Sequence, residues 1–232
     1  MEQFDVLQQF SMLDGLSIGF ILLAWIAIGW RIEHPGKSRT SVTMLMEERH
    51  KDWLKVFVTR EPRIFDSQVL GILRQGTAFF ASTSILALGG ILAVMGNVDF
   101  LRSVASKVNA TDAPELVWQI KLALVAFFTV NAFLKFVWAH RVFGYGTVLM
   151  GGVPNDPNHP QAYLRAEQAA DLNFRAVMNF NRGLRALYFA LGAIGWLLGP
   201  VALMFSTVIV LWVLWSREFA SLPRTILLRS LE

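Results

Sequence analysis

Residues 72–95 read ILRQGTAFFASTSILALGGILAVM. Beyond Arg74 the run carries no Asp, Glu, Lys or Arg. Coiled as an α-helix at about 1.5 Å per residue, it exceeds the roughly 30 Å of a bilayer's hydrocarbon core. An ionised side chain at the bilayer centre costs on the order of 3 kcal/mol, so a run this long without charge reads as a membrane-spanning helix. It also holds Ser82, Thr83, Ser84, Gly89 and Gly90. Small residues let two helices approach closely, and hydroxyls can bond across the gap. This predicts a helix interior to a bundle, with Ser82 and Thr83 on a packing face.

Three more runs have the same character, at about 12–30, 116–138 and 183–215. The last is long enough, at about 1.5 Å per residue, that it must tilt, kink or extend beyond the lipid. Pro200 offers the kink point. Two crossings with a turn do not fit into that stretch. Gly192, Gly195 and Gly199 along it predict a second packing face, within the chain or between copies. The expected fold is all-α: an integral membrane bundle of about four transmembrane helices, one domain over 1–232.

The intervening segments fit this frame. Val42, Leu45, Trp53, Val56 and Phe57 recur at near-helical spacing over about 40–60, and Glu47/Lys51 and Asp52/Lys55 can pair along the polar side. This predicts an interfacial amphipathic helix. Residues 96–116 read as a polar connector. The stretch GYGTVLMGGVPNDPNHP, 144–160, is rich in Gly and Pro and predicts a loop. An alanine-rich cytoplasmic helix is expected at about 161–181.

Composition agrees. Of 232 residues, 54% are hydrophobic and 16% charged, against roughly 25% charged in a soluble domain. The net charge is +4. Membrane proteins keep Lys and Arg on cytoplasmic loops, where anionic head groups attract them. No nucleic-acid motif accompanies the charge, so no nucleic-acid partner is expected. The absence of cysteine excludes disulfides, thiolate catalysis and Cys-ligated metal centres. The start of the chain carries Glu2, Asp5 and Asp14 where a cleavable signal would be basic, so the first run reads as an anchor.

Basic residues set the expected orientation. Nine lie between spans one and two (Arg31, Lys37, Arg39, Arg49, Lys51, Lys55, Arg60, Arg63, Arg74) and five between spans three and four (Arg141, Arg165, Arg175, Arg182, Arg185). Only Arg102 and Lys107 lie between spans two and three, and the C-terminal tail adds Arg217, Arg224 and Arg229. The richer side is cytoplasmic by the positive-inside rule. With four spans, both termini face the periplasm.

Three blocks resemble a known family: EPRIFDSQVLGILRQGTAFFASTSILALGGILA (61–93), FLKFVWAHRVFGYGTVLMGGVP (133–154) and NFNRGLRALYFALGAIGWLLGP (179–200). They are similar to the Domain of Unknown Function 599 family, bacterial membrane proteins with plant relatives. The resemblance implies a multi-pass protein of the bacterial inner membrane. It brings no catalytic residues.

The residues themselves offer few sites. Of the four histidines only His140 lies near a span, at its end, so the facing pair that ligates a membrane haem is missing. No HExxH, GxSxG, SxxK or P-loop occurs. No cofactor, metal or enzymatic activity is therefore expected. Span three carries Lys121, Asn131 and Lys135 within about a quarter of its circumference. These are snorkelling anchors and a helix-bridging amide, or else the lining of an anion-favouring path. Arg74, Arg141, Arg182 and Arg185 lie at the cytoplasmic ends of spans, as anchors or as a basic pocket for anionic lipid head groups. The expected function is a non-enzymatic accessory or scaffold protein binding lipid, a membrane partner or its own copies. The alternative is an oligomeric channel or small-solute carrier.

Overall fold

The computed structural model of the chain describes residues 10–34, 36, 39–97, 99, 103 and 114–229. The expectations placed on Glu2, Asp5, Lys37, Arg102, Lys107 and most of the 96–116 connector lie outside these residues. Among the described residues the chain is all-α: α1 Met12–Glu33, α2 Val42–Thr59, α3 Ile64–Met95, α4 Glu115–Gly151, α5 Ala162–Ala193, a 3-10 turn Ile194–Leu198, α6 Pro200–Phe219 and α7 Leu222–Arg229. Four stretches are long and apolar enough to cross a membrane: α1, α3, α4 and the segment Pro200–Arg229.

Local chemistry starts and stops these helices. Ser11 and Asp14 cap α1 reciprocally: Ser11 N donates to Asp14 Oδ2 (3.0 Å) and Asp14 N to Ser11 Oγ (3.2 Å), the logic of a capping box. Ser41 Oγ accepts from Met44 N at the start of α2. The Glu218 carboxylate accepts from Thr43 N (3.0 Å) and Thr43 Oγ1 (2.8 Å), an anion at a helix N-terminus. On the polar side of α2, Lys51 pairs with Glu47 as expected, whereas Asp52 pairs with Arg49 and not with Lys55.

Three boundaries differ from expectation. The loop predicted from 144 is helical to Gly151. A glycine inside a helix costs about 1 kcal/mol relative to alanine, and packing offsets it at Gly146, where a Cβ would lie 3.1 Å from Asn173 Oδ1. The helix ends only at Gly151 and Gly152, two residues before Pro154. Next, 161–181 is not a separate helix: α5 runs through Gly183 to Ala193. Finally, 183–215 is not one kinked helix. Gly199 adopts φ +126°, which favours glycine. Pro200 then takes the first position of α6, where its missing N–H costs nothing.

α5 and α6 form a hairpin. Ser206 Oγ donates to Gly192 O (2.7 Å). Cβ atoms on Gly192 and Gly195 would meet Val210 (3.2 Å) and Ser206 Oγ (2.6 Å) respectively. Contacts run in reverse order along the two helices, so they are antiparallel. The first arm of this hairpin starts some twenty residues before 183, at Ala162.

The second span is also corrected. Only 6% of the apolar window of α3 is buried. Ile72, Phe79, Leu86 and Leu92 are exposed, so α3 is peripheral, not interior. The enclosed helix is α5, which exposes no residue between Ala176 and Ala190. Its first half, by contrast, exposes Arg165, Glu167, Asp171 and Arg175.

The chain groups into two compact units. The first takes the described residues of Met1–Arg31, Thr83–Ala132 and Leu184–Ser216. Its interior holds Phe128 against Phe189 (centroids 5.8 Å apart) and Trp25 edge-on to Phe128 (5.4 Å). The buried Trp196 Nε1 donates to Asp14 Oδ1 (2.8 Å). The second takes the described residues of Ile32–Ser82, Phe133–Gly183 and Arg217–Glu232. There the alanine face of α5, Ala162, Ala166, Ala169 and Ala176, joins one core with Leu54, Phe57, Val142 and Phe143.

Candidate functional site

The second unit contains a cavity of about 380 Å³ lined by Phe57, Arg63, Ser67, Leu70, Gly71, Arg74, Thr147, Met150, Gly151 and Asn155. Its walls follow from helical periodicity. Ser67, Gly71 and Arg74 recur at i, i+4 and i+7 on one face of α3, and Thr147, Met150 and Gly151 at i, i+3 and i+4 in the last turns of α4.

Arg63 is fixed. Its NH1 donates to Val153 O (2.8 Å), its NH2 to Pro154 O (2.8 Å) and Val58 O (3.2 Å), and its guanidinium lies 4.4 Å from the Phe57 ring centroid. These partners are neutral, so they orient the charge without cancelling it. Arg74 Nε is buried without a hydrogen-bond partner, and Arg74 pairs with no carboxylate among the described residues. The neighbouring carboxylates are engaged elsewhere or line other cavities. Asp66, fully buried, accepts from Trp53 Nε1 (2.6 Å) and Arg60 NH1 (2.5 Å). Glu167 and Asp171 line different cavities, and Glu61 lines one that Arg63 and Asn155 also line, without an ion pair to Arg63 among the described residues. A half-buried guanidinium without a counter-charge is partly desolvated, at a cost, and an anionic ligand would offset that cost.

The four arginines expected to form one basic pocket do not. Arg74 lines this cavity. Arg182 is held bidentate by Glu33 (2.8 and 2.5 Å) and faces another cavity in the same unit, where Glu47, Lys51, Asp171 and Arg175 mix both signs. Arg141 is exposed and donates to Tyr145 Oη. Arg185 is buried in the first unit. Arg63 was the residue missed. It lies eleven positions before Arg74, three helical turns, which brings both onto one side. That signal was legible once the helix was known to begin at Ile64.

The polar stripe is divided as well. Lys121 and Asn131 belong to the first unit and Lys135 to the second, all three half-buried. The Lys121 ammonium lies 5.3 Å from the Trp118 ring centroid. None of the three lines the cavities described above. On α3, Ser82 and Thr83 are exposed, while Thr77 and Ser84 point inward, so the expected packing face is displaced. Thr77 Oγ1 lies 3.1 Å from His140 Nδ1. Among the described residues no group of three or more His, Cys, Asp or Glu could hold a metal ion.

The family model described as "Protein of unknown function, DUF599" matches residues 16–223. The chain belongs to this family. The match takes in every residue of the cavity and all three blocks quoted above, so the cavity lies within what defines this member of DUF599. No curated protein and no solved structure matches the chain.

Proposed function

We propose that this DUF599 protein is a non-enzymatic binding protein of the bacterial inner membrane that seats an anionic lipid head group between Arg63 and Arg74. One observation carries this: two guanidinium groups line one cavity, and neither has a carboxylate partner among the described residues. Apolar Phe57, Leu70 and Met150 beside them suit the start of an acyl chain. Anything that binds the folded form alone raises its stability by mass action. Anionic lipid added to the detergent-purified protein is expected to raise its Tm, zwitterionic lipid is not, and Arg74→Gln abolishes the difference. Equal effects of both lipids on both proteins would refute this function.

We further propose that α5 crosses the membrane beside the four apolar stretches, which makes five crossings. α6 is one of the apolar stretches, and α5 accompanies it: Gly195 abuts Ser206 at one end, and at the other Asn181 and Glu218 share Thr43. An odd number of crossings puts the two termini on opposite faces. Arg217, Arg224 and Arg229 then join the basic, cytoplasmic side instead of opposing it, as the positive-inside rule favours.

An anion-conducting oligomer is the second reading, and it has one supporting observation. The half-buried Asn131 amide makes no hydrogen bond among the described residues, as expected of a group facing water or another copy. Anion flux through reconstituted wild type that is lost in Asn131→Ala would favour it.

A further inference from the structure

Resting on the binding function above, we infer that the ligand is a phosphate ester of a polyol with free hydroxyls, phosphatidylglycerol being its membrane form. The cavity wall supplies two kinds of hydrogen-bonding group. The first is cationic donors. Arg63 spends three N–H groups on the carbonyls of Val58, Val153 and Pro154, and its remaining N–H groups are left over. Arg74 contributes a buried Nε with no partner. Two guanidinium groups at one cavity match a phosphate, which accepts from several donors at once.

The second kind is hydroxyl acceptors. Ser67 Oγ donates its proton to Ile64 O (2.8 Å), and Thr147 Oγ1 donates to Phe143 O (2.8 Å). A hydroxyl has one proton and two lone pairs. While bonded to its carbonyl, each presents lone pairs to the cavity, one from α3 and one from α4. A phosphomonoester dianion without free hydroxyls, as in phosphatidic acid, or a fatty carboxylate has no proton to give them and would set oxygen against oxygen. Choline has no O–H, and an ethanolamine ammonium would be repelled by both arginines. A phosphate linked to glycerol satisfies both walls, with its charge on Arg63 and Arg74 and its hydroxyls on Ser67 and Thr147. The volume, about 380 Å³, suits a head group and falls within the roughly 300–1,000 Å³ of ligand pockets. Lipid can reach it from the side, because Gly71 is exposed and a Cβ there would meet nothing within 4 Å.

The test is native mass spectrometry of the full chain, delipidated in mild detergent and titrated with phosphatidylglycerol, phosphatidic acid and phosphatidylcholine of matched chains. Glycerol 3-phosphate is added as soluble competitor. The expected order is phosphatidylglycerol, then phosphatidic acid about tenfold weaker, then phosphatidylcholine, since the hydrogen bonds to the two hydroxyls are together worth about that factor. Ser67→Ala with Thr147→Val should bring phosphatidylglycerol down to the phosphatidic acid level and leave phosphatidic acid unchanged. Ser67 is exposed, so its variant tests recognition without the risk of unfolding. Competition by glycerol 3-phosphate at equal potency would support the same chemistry with a soluble source. Equal retention of phosphatidylglycerol and phosphatidic acid by the wild type, or no effect of the hydroxyl variants, would overturn the inference and leave anionic binding standing. Retention of no anionic lipid would overturn both.

Discussion

The ring of Phe136 occupies the space where a side chain on Gly183 would begin: a Cβ there would lie 2.6 Å from Phe136 Cε1 and 2.8 Å from Cδ1. Phe136 is fully buried and stacks on Phe80 (centroids 5.4 Å), with Phe180 5.5 Å away. The glycine is therefore a close-approach position between α4 and α5, not a helix end. Gly183→Ala is expected to destabilise the protein by about 1–3 kcal/mol through overpacking. Gly89→Ala on α3 meets nothing within 4 Å and should be neutral or stabilising by up to about 1 kcal/mol. Thermal unfolding in detergent checks both. A neutral Gly183→Ala would contradict the observed packing.

Topology is testable because the chain has no cysteine. Single cysteines at Met12, Asn158 and Thr225, all exposed, can be labelled in intact cells with an impermeant maleimide. Five crossings predict that Asn158→Cys and Thr225→Cys are protected and Met12→Cys is labelled. Labelling of Thr225→Cys together with Met12→Cys would restore four crossings.

His50 carries a pH dependence. Burial beside Trp53 and Phe174 pushes its imidazole below the ordinary 6.5, so the folded protein holds it neutral. Below 6.5 the unfolded chain binds the proton first, and stability falls with falling pH until the folded value is passed. Above 6.5 the effect is absent. Between about pH 7.5 and 5.0 the wild-type Tm should drop further than that of His50→Gln. Equal drops would assign the acid sensitivity to other groups.

Much of the fold was legible from hydropathy alone. The ends of α1 and α2 fell within three residues of those observed, because charge-free runs and caps are written locally in Ser11, Asp14 and Ser41. What hydropathy could not reveal was α5. Its mean character is polar because Arg165, Glu167, Asp171 and Arg175 are exposed in its first half and Asn173, Asn179 and Arg185 are buried among its other residues. A polar side chain buried against protein lowers mean hydropathy without marking a loop, so a hydropathy reading split the helix. The glycines misled for a similar reason. Gly144, Gly146 and Gly183 resemble breakers in a one-dimensional reading, but contact with Asn173 and Phe136 gives two of them a packing role. The candidate site was half legible: Arg74 was singled out, while Arg63 lay before a helix start placed eight residues too late.

The most direct test is to ask what the protein carries out of its own membrane. Wild type and the Arg63→Gln/Arg74→Gln double variant would be extracted in mild detergent and weighed intact by native mass spectrometry. Wild type is expected to retain about one anionic lipid per chain, as one cavity with two uncompensated guanidinium groups requires, and the double variant none. A wild type that emerges without lipid, or a double variant that retains as much, would contradict the account.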